Sequence, residues 1–180
     1  DRPLQTLFTI TKDQNIRGLR QSTDDTALIG YHELGKELLE IPELQAVFIG
    51  TSSGTTAQAL AEYFESQSNN VEIHIVQTSS CHPISDTFVN DQPLDEHSIA
   101  DAIVDQTALR KDTIVKLLEK DGGSGWIVSN EQIVAAQVLA KKHTEIDLST
   151  NSALSVAGLM QAVYTGKTWN GSVVCLVCGD

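Results

Sequence analysis

Apolar residues along the chain follow two alternating spacings. Short apolar runs, bounded by Gly, Asn or Ser, predict β-strands. The predicted strands are TLFTI (6–10), QAVFI (45–49), VEIHIV (71–76), GWIVS (125–129) and SVVCLV (172–177). Several of these runs lack polar residues at alternate positions, which is typical of strands that helices cover on both faces. The runs therefore indicate a buried sheet in an α/β fold.

Between these runs, apolar residues recur at helical spacing. One predicted helix places four of them on a single face: Ala57, Leu60, Ala61 and Phe64. Another begins with Ser129 and Gln132 at the spacing of a capping box. Further helices are predicted over 24–40, 98–120 (one long helix or a pair) and 151–166, the last ended by Gly166. The alternating order predicts a three-layer fold, a mainly parallel sheet flanked by helices.

The composition fits one ordinary domain. The chain has 180 residues, 41% of them hydrophobic, enough to bury a core of normal size. Its formal net charge is −12, from 24 acidic and 12 basic residues, which argues against nucleic acid and anionic membrane surfaces as partners. No apolar stretch suits a membrane span and no leader pattern is visible. We expect a soluble, cytoplasmic protein with a single α/β domain over residues 1–180.

The three cysteines do not form a secreted disulfide framework. Cys175 and Cys178 have the spacing of a metal or redox pair, and Cys81 with His82 could complete a zinc site. In a strand, however, the first two would point to opposite faces, and buried reduced cysteine is common. We therefore expect reduced thiols and no metal site.

The segment 77–97, QTSSCHPISDTFVNDQPLDEH, is long and polar and carries two prolines. Loops of this length in compact domains are usually functional or mobile. His82 follows the predicted strand 71–76, at the edge where open α/β sheets bind ligands. Two interpretations stay open for it, approach to a substrate or simple solvation.

The most informative motif is the turn GTSSGTT, which joins the predicted strand 45–49 to a helix. Its glycines allow close backbone approach, and its hydroxyls lie where a helix N-terminus exposes unpaired N–H groups. An anion fits such a turn. The alternative is a tight strand-to-helix turn whose Ser and Thr side chains act only as caps.

The residues around the turn narrow the identity of that anion. No Lys follows Gly54, so the turn lacks the sequence of a nucleoside-triphosphate P-loop. The next strand ends in Gln77 rather than in the acidic residue that holds the ribose of a dinucleotide, which disfavours that ligand. A ligand with a single phosphate remains, held by backbone amides and hydroxyls without a cation.

Several segments resemble those of fold-type II pyridoxal-phosphate enzymes, the group with threonine synthase, cysteine synthase and threonine dehydratase. IGTSSGTTAQALAEYF resembles their phosphate-binding glycine loop. IADAI, GWIVSNEQIVAAQVLA, LSTNSALSVAGLMQAV and a final VVCLVCGD follow in the same order as in that group. The resemblance covers nearly the whole chain and implies pyridoxal 5′-phosphate as the cofactor of the full-length protein.

The resemblance also implies which residues contact the cofactor. The phosphate contacts fall on the turn: Ser52, Ser53, Gly54, Thr55 and Thr56. Cys178 takes the place where the family usually has Ser or Thr beside the pyridine nitrogen. A neutral group there leaves the nitrogen largely unprotonated, as in sites that favour β- or γ-elimination or replacement.

The family's Schiff-base lysine is not found at its expected place. It precedes the glycine loop by well over a hundred residues in the family, whereas 49 residues precede Gly50. Lys12 stands too close to the loop and Lys36 falls in a predicted helix, so we assign no catalytic residue. The chain therefore resembles the C-terminal part of a longer two-domain enzyme, and alone it should not catalyse.

Three functions follow as hypotheses. The first is the cofactor-phosphate portion of an amino-acid lyase or synthase, threonine synthase-like because of the VVCLVCGD terminus. The second is a cysteine synthase-like β-replacement enzyme, suggested by the loop spacing. The third is a non-catalytic module that binds or senses a phosphorylated ligand. The expected partners are an amino-acid substrate and the missing N-terminal half, with homo-oligomerisation through exposed apolar surface.

Overall fold

The secondary structure follows the predicted alternation with some differences. The computed structural model describes residues 3–13, 18–89, 97–103 and 105–178. Within them the helices are α1 (Pro3–Asp13), α2 (Thr26–Ile29), α3 (His32–Leu39), α4 (Thr55–Ser66), α5 (Lys111–Asp121), α6 (Asn130–Thr144) and α7 (Ala153–Tyr164). The strands are β1 (Leu44–Gly50), β2 (Glu72–Thr78), β3 (Ser124–Val128) and β4 (Ser172–Leu176), with a 3₁₀ turn at Ser85–Thr87.

The four strands form one sheet in the order β3-β2-β1-β4, and every neighbouring pair is parallel. The predicted parallel sheet is confirmed. Because all strands run the same way, their ends at Gly50, Thr78, Val128 and Leu176 lie along one side, here called the carboxyl edge. The segments that follow the strands therefore start close together there.

Both faces of the sheet are covered by helices, as the apolar runs predict. Val47 and Ile49 of β1 belong to a buried cluster with residues of α3, α4 and α5. Their neighbours Ala46 and Phe48 belong to a second cluster, with α6 and α7. The alternation of the strand thus separates two cores, and the three-layer prediction is confirmed. A fully buried Phe64 contributes about 2 kcal/mol through apolar burial.

The prediction of a strand over 6–10 is wrong, because this segment lies within α1. β-Branched residues favour strands but do not forbid helices. The Thr9 hydroxyl donates to the Gln5 carbonyl at 2.9 Å, and Thr11 donates to the Leu7 carbonyl at the same distance. These bonds, one turn back along the helix, satisfy the threonine hydroxyls locally.

The predicted helix over 98–120 begins only at Lys111. The backbone N–H of Ile99 donates to the side-chain oxygen of Asn130 at 2.9 Å, and that of Ala102 donates to Asn151 at 3.2 Å. Side chains from other segments therefore replace the hydrogen bonds that a helix would supply.

Other predicted elements are close to the observed ones. The helix predicted over 24–40 is divided into α2 and α3 around Gly30 and Tyr31. The capping box at the start of α6 is confirmed, because Gln132 N–H donates to Ser129 Oγ and Ser129 N–H donates to Gln132 Oε1. α7 ends two residues before Gly166, which adopts φ +94°. Part of the predicted loop 77–97, residues 90–96, lies outside the described residues.

Several apolar side chains lie at the surface. Phe8 of α1, Val138 of α6 and Tyr164 of α7 are exposed, and Tyr164 is 92% accessible. Among the described residues, none of the helices combines the length and apolarity needed to cross a bilayer.

Candidate functional site

The GTSSGTT turn leaves β1 at the carboxyl edge and enters α4. The Thr51 N–H donates to the Val76 carbonyl of β2 at 3.1 Å, so the sheet still guides the chain after the strand ends. The Gly54 N–H then turns back to the Thr51 hydroxyl at 2.9 Å. Gly54 adopts φ +81°, a left-handed conformation that glycine tolerates best. The first bond to α4 follows, from the Gln58 N–H to the Gly54 carbonyl at 2.9 Å.

Packing as well as dihedral angle selects glycine in this turn. A Cβ on Gly54 would lie 2.1 Å from Ile114 Cδ1 of α5 and 3.1 Å from Ile84 Cδ1. A Cβ on Gly50 would lie 2.9 Å from Leu154 Cβ of α7. Both glycines therefore bring the backbone against covering side chains, one on each face of the sheet.

The turn presents hydrogen-bond donors that the rest of the described chain does not use. Within those residues, no acceptor contacts the N–H groups of Thr55, Thr56 or Ala57, the first turn of α4. The helix dipole adds partial positive charge at this end. Ser53 and Thr55 hydroxyl oxygens lie 3.0 Å apart, next to these amides. This arrangement is suited to bind an anion.

The chemistry of the donors fits one phosphate group. In the described chain, the hydrogen bonds of the turn's hydroxyls go to neutral groups: the Ser52 hydroxyl accepts from the Asp105 N–H at 2.9 Å, and Thr55 donates to the Gln21 carbonyl at 3.4 Å. No carboxylate or cationic side chain hydrogen-bonds to residues 52–56 there. An uncharged cradle of amides and hydroxyls can hold the phosphate of pyridoxal phosphate without a lysine.

Cys178 lies at the same edge but apart from the turn. It follows β4, the strand that pairs with β1, and its thiol is exposed. Its carbonyl accepts a hydrogen bond from the hydroxyl of Ser152, the residue before α7. Leu154 of the same helix packs against Gly50. The structure thus gathers Ser52 to Thr56 in one turn and places Cys178 beyond the end of the adjacent strand.

The weaker sequence candidates lie in a neighbouring cleft of about 340 Å³, lined by Ser80, Cys81, His82, Pro83, Asp86 and Gln106. Nδ1 of His82 lies 3.0 Å from the Thr78 carbonyl and is held by it. Burial, aided by the charge of Asp105, raises the pKa of the Cys81 thiol, which therefore stays protonated near neutral pH.

Cys175 and Cys178, the pair with metal or redox spacing, are both free thiols. Cys175 lies within β4, and burial raises the pKa of its thiol to about 12. In the described part of the chain, no three His, Cys, Asp or Glu side chains are placed to hold a metal ion.

Three residues hold the turn through contacts that the sequence does not predict. Thr51 closes the turn, the Asp105 backbone reaches Ser52, and Gln77 donates to the Ser52 carbonyl at 3.1 Å. In the sequence, Gln77 is visible only as an amide that directly follows the apolar residues Ile75 and Val76. The Asp105 contact joins segments 53 residues apart, so no local pattern announces it.

Comparison with known proteins gives the family. The family described as "Pyridoxal-phosphate dependent enzyme" matches residues 3–179. A search of curated proteins finds no match.

Solved structures of this fold superpose on the chain at low sequence identity. Threonine deaminase isoform 2 from Solanum lycopersicum gives a TM-score of 0.72 at 19% identity, with 96% of this chain and 51% of that chain covered. Serine racemase from Dictyostelium discoideum gives a TM-score of 0.73 at 14% identity, with 97% of this chain and 57% of that chain covered. A pyridoxal 5′-phosphate-dependent aspartate racemase gives a TM-score of 0.70 at 20% identity, with 94% of this chain and 53% of that chain covered. The chain therefore shares their fold and spans about half their length.

Proposed function

This chain belongs to the family of pyridoxal-phosphate-dependent enzymes, and we propose that it forms the part of such an enzyme that holds the cofactor phosphate. The observation that carries the proposal is the first turn of α4. Its three N–H groups, on Thr55, Thr56 and Ala57, meet no acceptor among the described residues and sit beside hydroxyls in an uncharged turn.

The residues of this chain have two tasks in this proposal. The turn Ser52–Thr56 donates hydrogen bonds to the phosphate and fixes its position. Cys178, at the same edge, offers a neutral side chain toward the pyridine nitrogen. When bound, pyridoxal phosphate supplies an electron-withdrawing ring for chemistry at the α-carbon of an amino acid. The lysine that attaches the cofactor would come from outside residues 1–180.

We propose β- or γ-elimination or replacement on an amino-acid substrate as the reaction class. The neutral group at Cys178 supports this class. Two of the structural neighbours are named threonine deaminases, and that name states an amino-acid substrate. Within this class, the VVCLVCGD terminus favours a threonine synthase-like enzyme, and the spacing of the turn favours a cysteine synthase-like one.

Phosphate binding can be tested on the 180-residue chain itself. We expect inorganic phosphate, and more strongly pyridoxal phosphate, to shift the backbone amide NMR signals of Thr55, Thr56 and Ala57. The Gln132 amide, at the start of α6, is an internal control because Ser129 already accepts its hydrogen bond. If phosphate leaves the α4 amides unmoved, or moves both helices alike, the proposal is wrong.

A non-catalytic module remains the competing hypothesis, supported by the same turn. The enzyme and the module differ in what they require upstream of residue 1. An enzyme requires a lysine in a Ser-x-Lys context before the turn, on a segment comparable to another small domain. Reading the upstream reading frame checks this: absence of such a lysine, or failure of the full-length protein to take up pyridoxal phosphate, favours the module.

Self-association is a further part of this proposal. Phe8, Val138 and Tyr164 expose apolar surface that another half or another copy could cover. Light scattering on the isolated chain should then give a mass above 19.5 kDa. A monomer at all concentrations would contradict association through these residues in the chain alone.

A further inference from the structure

A buried amide connects the phosphate-binding turn to the segment after β2. Gln77 is 1% exposed and lies near the end of β2. Its Nε2 donates to the Ser52 carbonyl at 3.1 Å. Its Oε1 accepts from the Ile84 and Ser85 N–H groups, each at 2.9 Å.

These three bonds fix the orientation of the amide. If it were flipped, the side-chain NH₂ group would face two N–H donors and the oxygen would face the Ser52 carbonyl. Both contacts would be repulsive, so one orientation satisfies the site. A buried amide with all these groups paired is held rigidly.

Gln77 reaches the turn by a second route. By binding the Ile84 N–H, it holds Ile84, whose fully buried side chain packs beside Gly54. The amide thus fixes Ser52 directly and supports Gly54 through Ile84. These two residues flank Ser53 in the turn that precedes the unpaired amides of α4.

We propose that Gln77 is a positioning residue that sets the geometry of the turn for phosphate. The inference rests on the proposed function of the turn. It further implies that the segment 84–87 responds when phosphate binds, because Gln77 and the packing of Ile84 beside Gly54 link that segment to the turn. Gln77 itself donates to a backbone carbonyl and does not contact the ligand.

Two substitutions separate the two ends of the amide. Gln77→Met keeps the length of the side chain but leaves the Ser52 carbonyl and both N–H groups unpaired. Gln77→Glu keeps an acceptor for Ile84 and Ser85 and, at pH 8, turns a second oxygen toward the Ser52 carbonyl. Gln137→Glu is the matched control, because Gln137 Nε2 also donates to a backbone carbonyl, that of Leu148, at 2.7 Å.

The measurement is the affinity of each chain for inorganic phosphate, read from the amide NMR signals of Thr55 to Ala57. We expect Gln77→Met and Gln77→Glu to weaken binding by about tenfold, since each loses a buried hydrogen bond at the turn. Gln137→Glu should bind as the unmodified chain does. Hydrogen exchange at Ile84 and Ser85 should accelerate in Gln77→Met and stay slow in Gln77→Glu, a split that a general loss of stability would not produce.

The outcomes separate the two proposals. If the unmodified chain does not bind phosphate at the turn, the proposed function fails and this inference fails with it. If it binds and both Gln77 variants change affinity by less than twofold, only the positioning role is overturned. Should both variants fail to fold, the unmodified chain decides: phosphate must shift the side-chain NH₂ signals of Gln77 and the amide of Ser85, and unmoved signals overturn the inference.

Discussion

Two polar regions at opposite ends of the sheet differ in whether their hydrogen-bond donors have acceptors within the described chain. A cluster of five side chains, here called the Glu72 cluster, lies near the start of β2. Its members are Glu72, His74, Trp126, Lys167 and Trp169. Its Glu72 carboxylate accepts from His74 Nε2 at 2.9 Å, Trp169 Nε1 at 3.0 Å and Lys167 at 3.3 Å. Trp126 Nε1 donates to His74 Nδ1 at 3.3 Å. In the turn after β1, by contrast, three helix N–H groups meet no acceptor from the described residues.

The Glu72 cluster pairs its donors within the fold, whereas the donors of the turn are those that we propose bind a ligand. A buried donor without an acceptor costs free energy unless something binds it, whereas a paired donor fixes the core. His74 is fully buried and stacks on Phe48 at 4.4 Å, so the Glu72 cluster belongs to the core between the sheet and α7. Changes there should affect stability, and changes in the turn should affect phosphate binding.

The largest effect is expected from acid at the Glu72 cluster. Burial, with the nearby charge of Lys167, lowers the pKa of His74 from 6.5 to about 4, although Glu72 opposes the shift. As the pH falls, His74 therefore takes up a proton at a higher pH in the unfolded chain than in the folded chain. The free energy of unfolding therefore keeps the full contribution of neutral His74 above pH 6.5. As the pH falls toward 4 it decreases, by about 3 kcal/mol in total. Urea unfolding between pH 7.5 and 4 measures it.

The control for this prediction is His74→Phe, which keeps a ring against Phe48 and cannot be protonated. Burial would raise the pKa of Glu72, but hydrogen bonds from Trp169 and His74 and the charge of Lys167 hold it below 4.5. Glu72 therefore adds its own loss of stability only below about pH 4.5. If the free energy of unfolding depends on pH equally in the unmodified chain and in His74→Phe between pH 6.5 and 5, His74 is not the responsible group.

The second effect concerns the backbone of the turn. Gly54→Ala places a methyl group 2.1 Å from Ile114 Cδ1 at a left-handed residue, and should cost about 3 kcal/mol in the free energy of unfolding. Gly166→Ala meets nothing within 4 Å at a similar φ and should cost about 1 kcal/mol, the backbone strain alone. Urea unfolding gives both values. Equal losses would mean that packing against Ile114 does not select glycine.

A third, smaller effect separates the two regions. Glu72→Gln keeps the shape of the side chain but removes the charge that three donors share, so we expect a loss of about 1.5 kcal/mol in stability. Phosphate affinity at the turn should not change, because Glu72 lies at the opposite end of β2. Unfolding and phosphate titration of the same preparation provide the test. A parallel loss of affinity would mean that the two regions are coupled through the sheet.

The sequence predicts best what local periodicity controls. The parallel sheet, its two covered faces and the capping box of Ser129 all follow from spacing within about fifteen residues. The segment 6–10 shows the limit, since its β-branched residues suit a strand, yet Thr9 and Thr11 bond back along a helix. Short apolar runs do not distinguish the two.

Contacts between distant segments are harder to predict. Trp126 and Trp169 are far apart in the sequence, and no local pattern joins them. The structure buries Trp126 in the core and half-buries Trp169, and both ring systems lie within 6.4 Å of Phe48. The contacts of Gln77 and of the Asp105 backbone with the turn likewise join residues that are distant in the sequence. The turn itself was predictable because its glycines and hydroxyls are consecutive.

The smallest effect on stability, and the sharpest test of the comparison, is expected for Thr56→Val. Thr56 is half-buried in the first turn of α4, and its hydroxyl has no protein partner among the described residues. Valine keeps the branched shape, so the free energy of unfolding should change by less than about 0.5 kcal/mol. Phosphate affinity should fall about fivefold, because one donor to the anion is lost. Glu72→Gln is the reciprocal control, and unchanged phosphate affinity in Thr56→Val would remove this hydroxyl from the phosphate contacts.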